Sequence, residues 1–256
     1  MSSYKFALAV AVVMFAAGLL GLLLQRVLPE KHTTGGSRDM IAAIAGLLTL
    51  LCALVAGLLI WTAYGVYSGQ NLQIQAVASK IMQLDLSLAD YGPEAMPLRG
   101  ELRDGLGKTI DQLWHVDQND ENFAADNFAS ALANMRARDK ALAKLHPTTD
   151  DQKQALAAAN AASDALGQAR MQMSFALSAP VAYPVLLTVV GWVACLFCGF
   201  GLTARGTVTS VIALAVGSIA IASAVLLILD LSEPYSGIVR ASSAPLEQAL
   251  AVMGKQ

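Results

Sequence analysis

IAAIAGLLTLLCALVAGLLIWTAYGVY, residues Ile41 to Tyr67, holds no charged side chain, and none occurs between Asp39 and Lys80. A bilayer core of about 30 Å is crossed by roughly 20 apolar helical residues, so this stretch spans with length to spare. Three more segments qualify: Phe6 to Leu24, Val181 to Thr203 and Val208 to Leu229. The first exceeds the roughly 7–15 apolar residues of a signal-peptide core and reads as a retained helix or signal anchor. These spans account for a composition that is 55% apolar and only 14% charged, where soluble domains carry about 25% charge. The chain reads as an all-α integral membrane protein with four transmembrane helices in two hairpins.

The linker from Leu28 to Met40, with Gly35-Gly36 as its turn signal, joins the first hairpin, and a short turn at Ala204-Arg205-Gly206 joins the second. Between the hairpins, Ser68 to Pro180 is too polar for lipid and too long for a simple connector. Ile74, Val77, Ile81, Leu84 and Leu88 repeat at helical spacing, continuing the second span outward until Gly92-Pro93. Leu98, Leu102, Leu106, Ile110 and Leu113 form a second stripe, and Phe128, Leu132, Met135, Leu142 and Leu145 a third, stopped by His146-Pro147. Thr148 or Thr149 then caps an alanine-rich helix whose seam is Leu156, Ala159, Ala162, Leu166, Ala169, Met173 and Leu177. The expected organisation is hairpin one over 1–67, an extramembrane helical bundle over 68–180, hairpin two over 181–230, and a tail with a short helix over 231–256.

Chemistry is sparse. No nucleophile elbow, P-loop, zinc-protease motif or dinucleotide fingerprint occurs, so no enzyme, cofactor, catalytic residue or metal site is expected. His32, His115 and His146 fall on separate loops. Cys195 and Cys198 have C-x-x-C spacing inside an apolar span, where packing explains them better than thiolate chemistry. Asp117, Asp120 and Glu121 lack the twelve-residue calcium-loop pattern. A net charge of −2 without a basic run excludes nucleic-acid binding. No span has a charge in its interior, which argues against a proton-coupled carrier.

Small residues recur at four-residue spacing: Ala17 and Gly21, Ala42 and Gly46, Ala53 and Gly57, Cys195 and Gly199. Such pairs serve close helix packing in lipid or the lining of a narrow pore. For a pore, the candidates on span two are Thr49, Ala53, Ala56, Gly57 and Ile60. The region 68–180 carries 10 Lys/Arg against 14 Asp/Glu, an acidic balance that favours cations over anions. Cationic residues near the spans are balanced between the two sides and set no orientation.

After span four comes Leu-Asp230-Leu-Ser-Glu233-Pro234-Tyr235-Ser236-Gly237, then Ser242-Ser-Ala-Pro245-Leu. Pro234 and Gly237 break the helix at the membrane exit, and Asp230 and Glu233 are expected to turn toward water. This run resembles the acidic-x-x-Pro-aromatic-Ser-Gly and Ser-x-x-Pro-Leu/Phe signature of the bestrophin-like domain family. The two-span, helical-loop, two-span layout is similar as well, and Gly57 matches a glycine common in that family's second span. Where members often place an acidic-basic-aromatic-acidic run after that span, this chain has Gly65-Val66-Tyr67-Ser68. The resemblance implies an oligomeric ion channel conducting inorganic ions, pentameric as bestrophins are. It places the protein among membrane lipid, in a bacterial inner membrane, with the long loop and both termini cytoplasmic. The alternative is a non-conducting scaffold or sensor whose helical loop binds a protein or small ligand.

Overall fold

Every regular element of the computed structural model is helical, and no strand occurs among the residues it describes, which are 3–27, 36–114, 123–177, 183–204, 206–232 and 239–253. Helix α1 covers Ser3–Val27, α2 Gly36–Tyr91, α3 Met96–Trp114 and α4 Phe123–Leu142. They are followed by α5 at Asp150–Leu177, α6 at Tyr183–Thr203, α7 at Val208–Ser232 and α8 at Ala244–Met253. α1, α2, α6 and α7 are each long and apolar enough to cross a membrane. The protein is therefore an integral membrane protein with four candidate spans. By packing, it divides into one unit within Met1–Val66 and Pro180–Glu233 and another within Tyr67–Ala179 and Pro234–Gln256.

In the first unit α1 packs extensively on both α6 and α7, which touch each other little. The crossing of α1 and α6 is unusually close. A Cβ placed on Gly21 would lie 2.1 Å from the Cys198 carbonyl oxygen, and one on Gly201 would lie 2.2 Å from that of Gly18. Two backbones thus meet through Gly18 and Gly21 on one side and Gly201 on the other, as small residues permit where lipid offers no hydrophobic drive. Pro184 stands at the second position of α6, where its missing N–H costs no helical hydrogen bond.

α2 runs unbroken through both units, so the stripe expected to continue span two outward is part of the same helix. All five of its residues, Ile74, Val77, Ile81, Leu84 and Leu88, are buried. Together with Leu98, Leu106, Ile110, Ala159, Leu166 and Met173 they form the second unit's core. Gly92 ends α2 at φ +114°, a left-handed value that disfavours any side chain, and a short 3-10 turn over Pro93–Ala95 leads into α3. The third stripe is shallower than its spacing predicts. Leu142 is buried as expected, but Phe128, Leu132 and Met135 are only half-buried, whereas Ala131 and Asn127 on the same helix are buried, and Leu145 lies past the end of α4.

α5 begins as the sequence predicts. The Gln152 N–H donates to Thr149 Oγ1 at 3.2 Å, and Gln152 Oε1 accepts from the Thr148 N–H at 2.8 Å, so two exposed amide donors are satisfied reciprocally. Asp150 and Asp151 lie in its first turn, at the positive end of the helix dipole. Thr149→Ala is expected to destabilise the second unit by about 1 kcal/mol, the usual worth of a hydroxyl cap; faster amide exchange confined to the start of α5 checks it.

The tail belongs to the second unit. α8 buries Leu246, Ala249 and Met253 in that core. Trp114, at the end of α3, donates its indole N–H to the Ala241 carbonyl at 2.8 Å. Ser243 caps α8: its carbonyl accepts from the Leu246 and Glu247 amides, and its hydroxyl bonds the Glu247 carboxylate.

Candidate functional site

The membrane portion of α2 has three distinct faces. Ala45, Leu48, Cys52, Val55 and Leu59 form the face packed on the core of the first unit. Ile44, Leu47, Leu51, Leu54, Leu58 and Trp61 are exposed on a second face, as large apolar groups suited to lipid, and exposed Leu50 stands at its border with the third. The third carries the candidates read from sequence and lies about 100° around the helix from the packed stripe. Thr49, Ala53 and Gly57 are exposed there, and Ala56 and Ile60 are half-buried at its margin. A Cβ on Gly57 or Gly46 would meet nothing within 4 Å. Neither glycine serves packing within this chain, unlike Gly21.

The separation has a chemical meaning. Bulky side chains that solvate well in hydrocarbon are segregated from small ones that leave space next to the backbone. Thr49 donates its hydroxyl proton to the Ala45 carbonyl at 2.7 Å, which uses its donor within the helix and turns lone pairs outward. Outward oxygen lone pairs suit a passing cation better than an anion.

The expected small-residue pairs therefore split into two roles. Gly21 is at the α1–α6 crossing, but its counterpart is Gly201, not the Cys195–Gly199 pair, and Gly199 also faces open space. The working spacing is three, Gly18 with Gly21, so a search for four-residue pairs finds only half of the contact.

Around the tail the expectation for Asp230 is corrected. α7 continues to Ser232, and Asp230 sits inside its last turns at 4% exposure, flanked by buried Ile228, Leu229 and Leu231. Because the helix does not end at Leu229, this carboxylate has no loop on which to turn toward water. Glu233, Pro234, Tyr235, Ser236 and Gly237 lie outside the described residues, as do His32, His115, Asp117, Asp120 and Glu121. Pro245 occupies the second position of α8, within the first turn where proline is tolerated. His146 is exposed.

A pair that sequence reasoning missed lies in the second unit. Asp85, at 1% exposure within the buried stripe of α2, accepts two hydrogen bonds from Arg99 of α3: Nε to Oδ1 at 2.8 Å and Nη2 to Oδ2 at 2.9 Å. That hydrogen bonding raises the Arg99 pKa above its ordinary value, against the opposing effect of burial. A signal was present, since Asp85 and Arg99 stand seven residues on either side of Gly92 and a tight reversal there brings them opposite each other.

Comparison with known proteins adds one assignment. No curated protein and no solved structure matches the chain. The family model described as Bestrophin-like domain matches residues 12–246. That match takes in the three-faced helix, the buried pair and the tail through the start of α8, and with it the chain belongs to the bestrophin-like domain family.

Proposed function

We propose that this protein forms an ion channel by assembly of several copies, five if it follows bestrophins, with the small-residue face of α2 lining the conduction path. The observation that carries this reading is the three-way division of α2, in which Thr49, Ala53 and Gly57 are exposed on a face separate from the large aliphatic one. Family membership supports a channel-like role. Lipid covers the Leu47, Leu51, Leu54 and Leu58 face. Conduction is poorly selective with a preference for cations, because the region 68–180 holds 14 acidic against 10 basic residues, a bias that salt screens only in part. In this reading the spans pair as two hairpins in a bacterial inner membrane. The helical region between them forms a bundle outside the bilayer, on the cytoplasmic side with both termini, and the protein carries out no catalysis.

Purified protein in planar bilayers is expected to give unitary currents whose reversal potential in a KCl gradient moves toward the potassium equilibrium value. Gly57→Trp should abolish them while leaving the assembled size unchanged, because indoles would crowd the path. Leu51→Trp, on the lipid face, should leave them intact. Folded oligomers of the unaltered chain that pass no current would sink this reading.

A further inference from the structure

Between α2, α3, α4 and α5 the second unit holds a cavity of about 160 Å³ that opens to solvent on one side. Its walls are aliphatic, with Leu84, Leu88, Leu98, Leu102, Leu106 and Leu166 among them, and exposed Asn134, Ala137 and Glu101 mark its mouth. The origin of the space is legible in α3: a Cβ on Gly105, which lines the cavity, would meet nothing within 4 Å. Close-packed interiors rarely leave such a void, and one of about 150 Å³ with apolar walls accepts a benzene-sized molecule. Sites of this kind typically pair an apolar body with a few convergent polar groups, and the space between the helices of a bundle is a common place for them.

Inside the mouth the polar groups are the Thr109 hydroxyl of α3 and two arginines, Arg138 of α4 and Arg170 of α5, the latter engaged with Met173 Sδ at 3.7 Å. Arg138 is partly buried and bonds only to Ser163, with Nε to Oγ at 2.8 Å and Nη2 to the carbonyl oxygen at 3.3 Å. No carboxylate among the described residues forms an ion pair with it. Burial lowers its pKa from the ordinary value, against the pull of nearby Asp139 and Asp164. Asp139 reaches it only through Ser163, whose hydroxyl donates to Asp139 Oδ1 at 3.4 Å, so the guanidinium beside this apolar cavity has a hydroxyl and a carbonyl but no carboxylate in direct contact. Glu101 is exposed at the mouth, where water screens its charge.

We infer that this cavity binds a small apolar carboxylate, its ring or short acyl body among the leucines of α2, α3 and α5 and its carboxylate on Arg138. The size sets the class: a ring or about six carbons fit, and a long acyl chain does not. Charge complementarity sets the sign. The inference does not depend on ion conduction.

The test is calorimetric or NMR titration of the full chain in lipid nanodiscs with benzoate, and with benzamide as a neutral molecule of the same shape. Saturable benzoate binding is expected, with benzamide at least tenfold weaker. Arg138→Gln should weaken benzoate about tenfold, roughly the worth of one charge-assisted hydrogen bond. Because that change also removes the Ser163 contacts, Gly105→Leu provides an independent arm. It fills the cavity from a position with open space and replaces a glycine within a helix, so it should abolish binding while raising thermal stability. No saturation up to about 10 mM benzoate, equal binding of benzamide, or undiminished binding by Gly105→Leu would each overturn the assignment.

Discussion

Arg99→Met is expected to lower the stability of the second unit by about 3–5 kcal/mol, because it leaves the Asp85 carboxylate without its partner at 1% exposure. The bidentate pair itself contributes little net stability, since both charges must leave water to form it. Removing one member is different: the remaining charge is held in a low-dielectric core among Leu84, Leu88 and Leu98. Asp85→Asn should cost less, as a neutral amide still accepts one of the two hydrogen bonds. The double change Asp85→Leu with Arg99→Met should recover most of the loss by replacing the pair with apolar volume. Hydrogen exchange across residues 74–110 of the full chain reads all three. A double variant as unstable as Arg99→Met alone would mean that the damage comes from packing and not from an orphaned charge.

The α1–α6 crossing should be nearly as sensitive to a single methyl group. Gly21→Ala places a carbon 2.1 Å from a backbone oxygen and 3.0 Å from the Gly201 Cα. Neither atom lies at the end of a side chain that can rotate away, so the helices must separate. Overpacking costs about 1–3 kcal/mol even where side chains can adjust, and a rigid backbone contact belongs at the top of that range. At roughly 2–4 °C per kcal/mol for a chain of this size, melting in lipid should fall by about 6–12 °C. Gly201→Ala should behave alike, while Gly199→Ala, with open space around its Cβ, should leave the melting point nearly unchanged. Equal tolerance at positions 21 and 199 would show that the helices do not approach this closely.

Apolar length and period carried most of the fold into the sequence. A charge-free run such as 41–67 has few fates other than a membrane, and the three-and-four spacing of Ile74 to Leu88 marked core residues that the structure buries without exception. Spacing failed where small residues do the packing. On α4 the large aliphatic Leu142 is buried as its spacing predicts, but the other buried positions are Ala131 and Asn127, which a scan for large aliphatics passes over in favour of half-buried Leu132 and Met135. Pairing across sequence distance was hidden too. Neither Gly18 nor Gly201 identifies its partner, because helix contact depends on azimuth and depth and not on order along the chain. The candidate pore face lies between these extremes: small residues at 49, 53 and 57 were visible, but only the packed stripe from Ala45 to Leu59 shows that they are not spent on internal contacts.

The partners of α1 also impose a schedule on biogenesis. Its contacts are with α6 and α7, which begin at Tyr183 and Val208. Ribosomes add about 5–20 residues per second, so roughly ten to forty seconds separate synthesis of the first helix from completion of its partners. Throughout that interval the notch at Gly18 and Gly21 lacks the α6 backbone that later fills it. Whatever occupies it meanwhile, lipid or an insertion chaperone, must leave before the last two spans can dock.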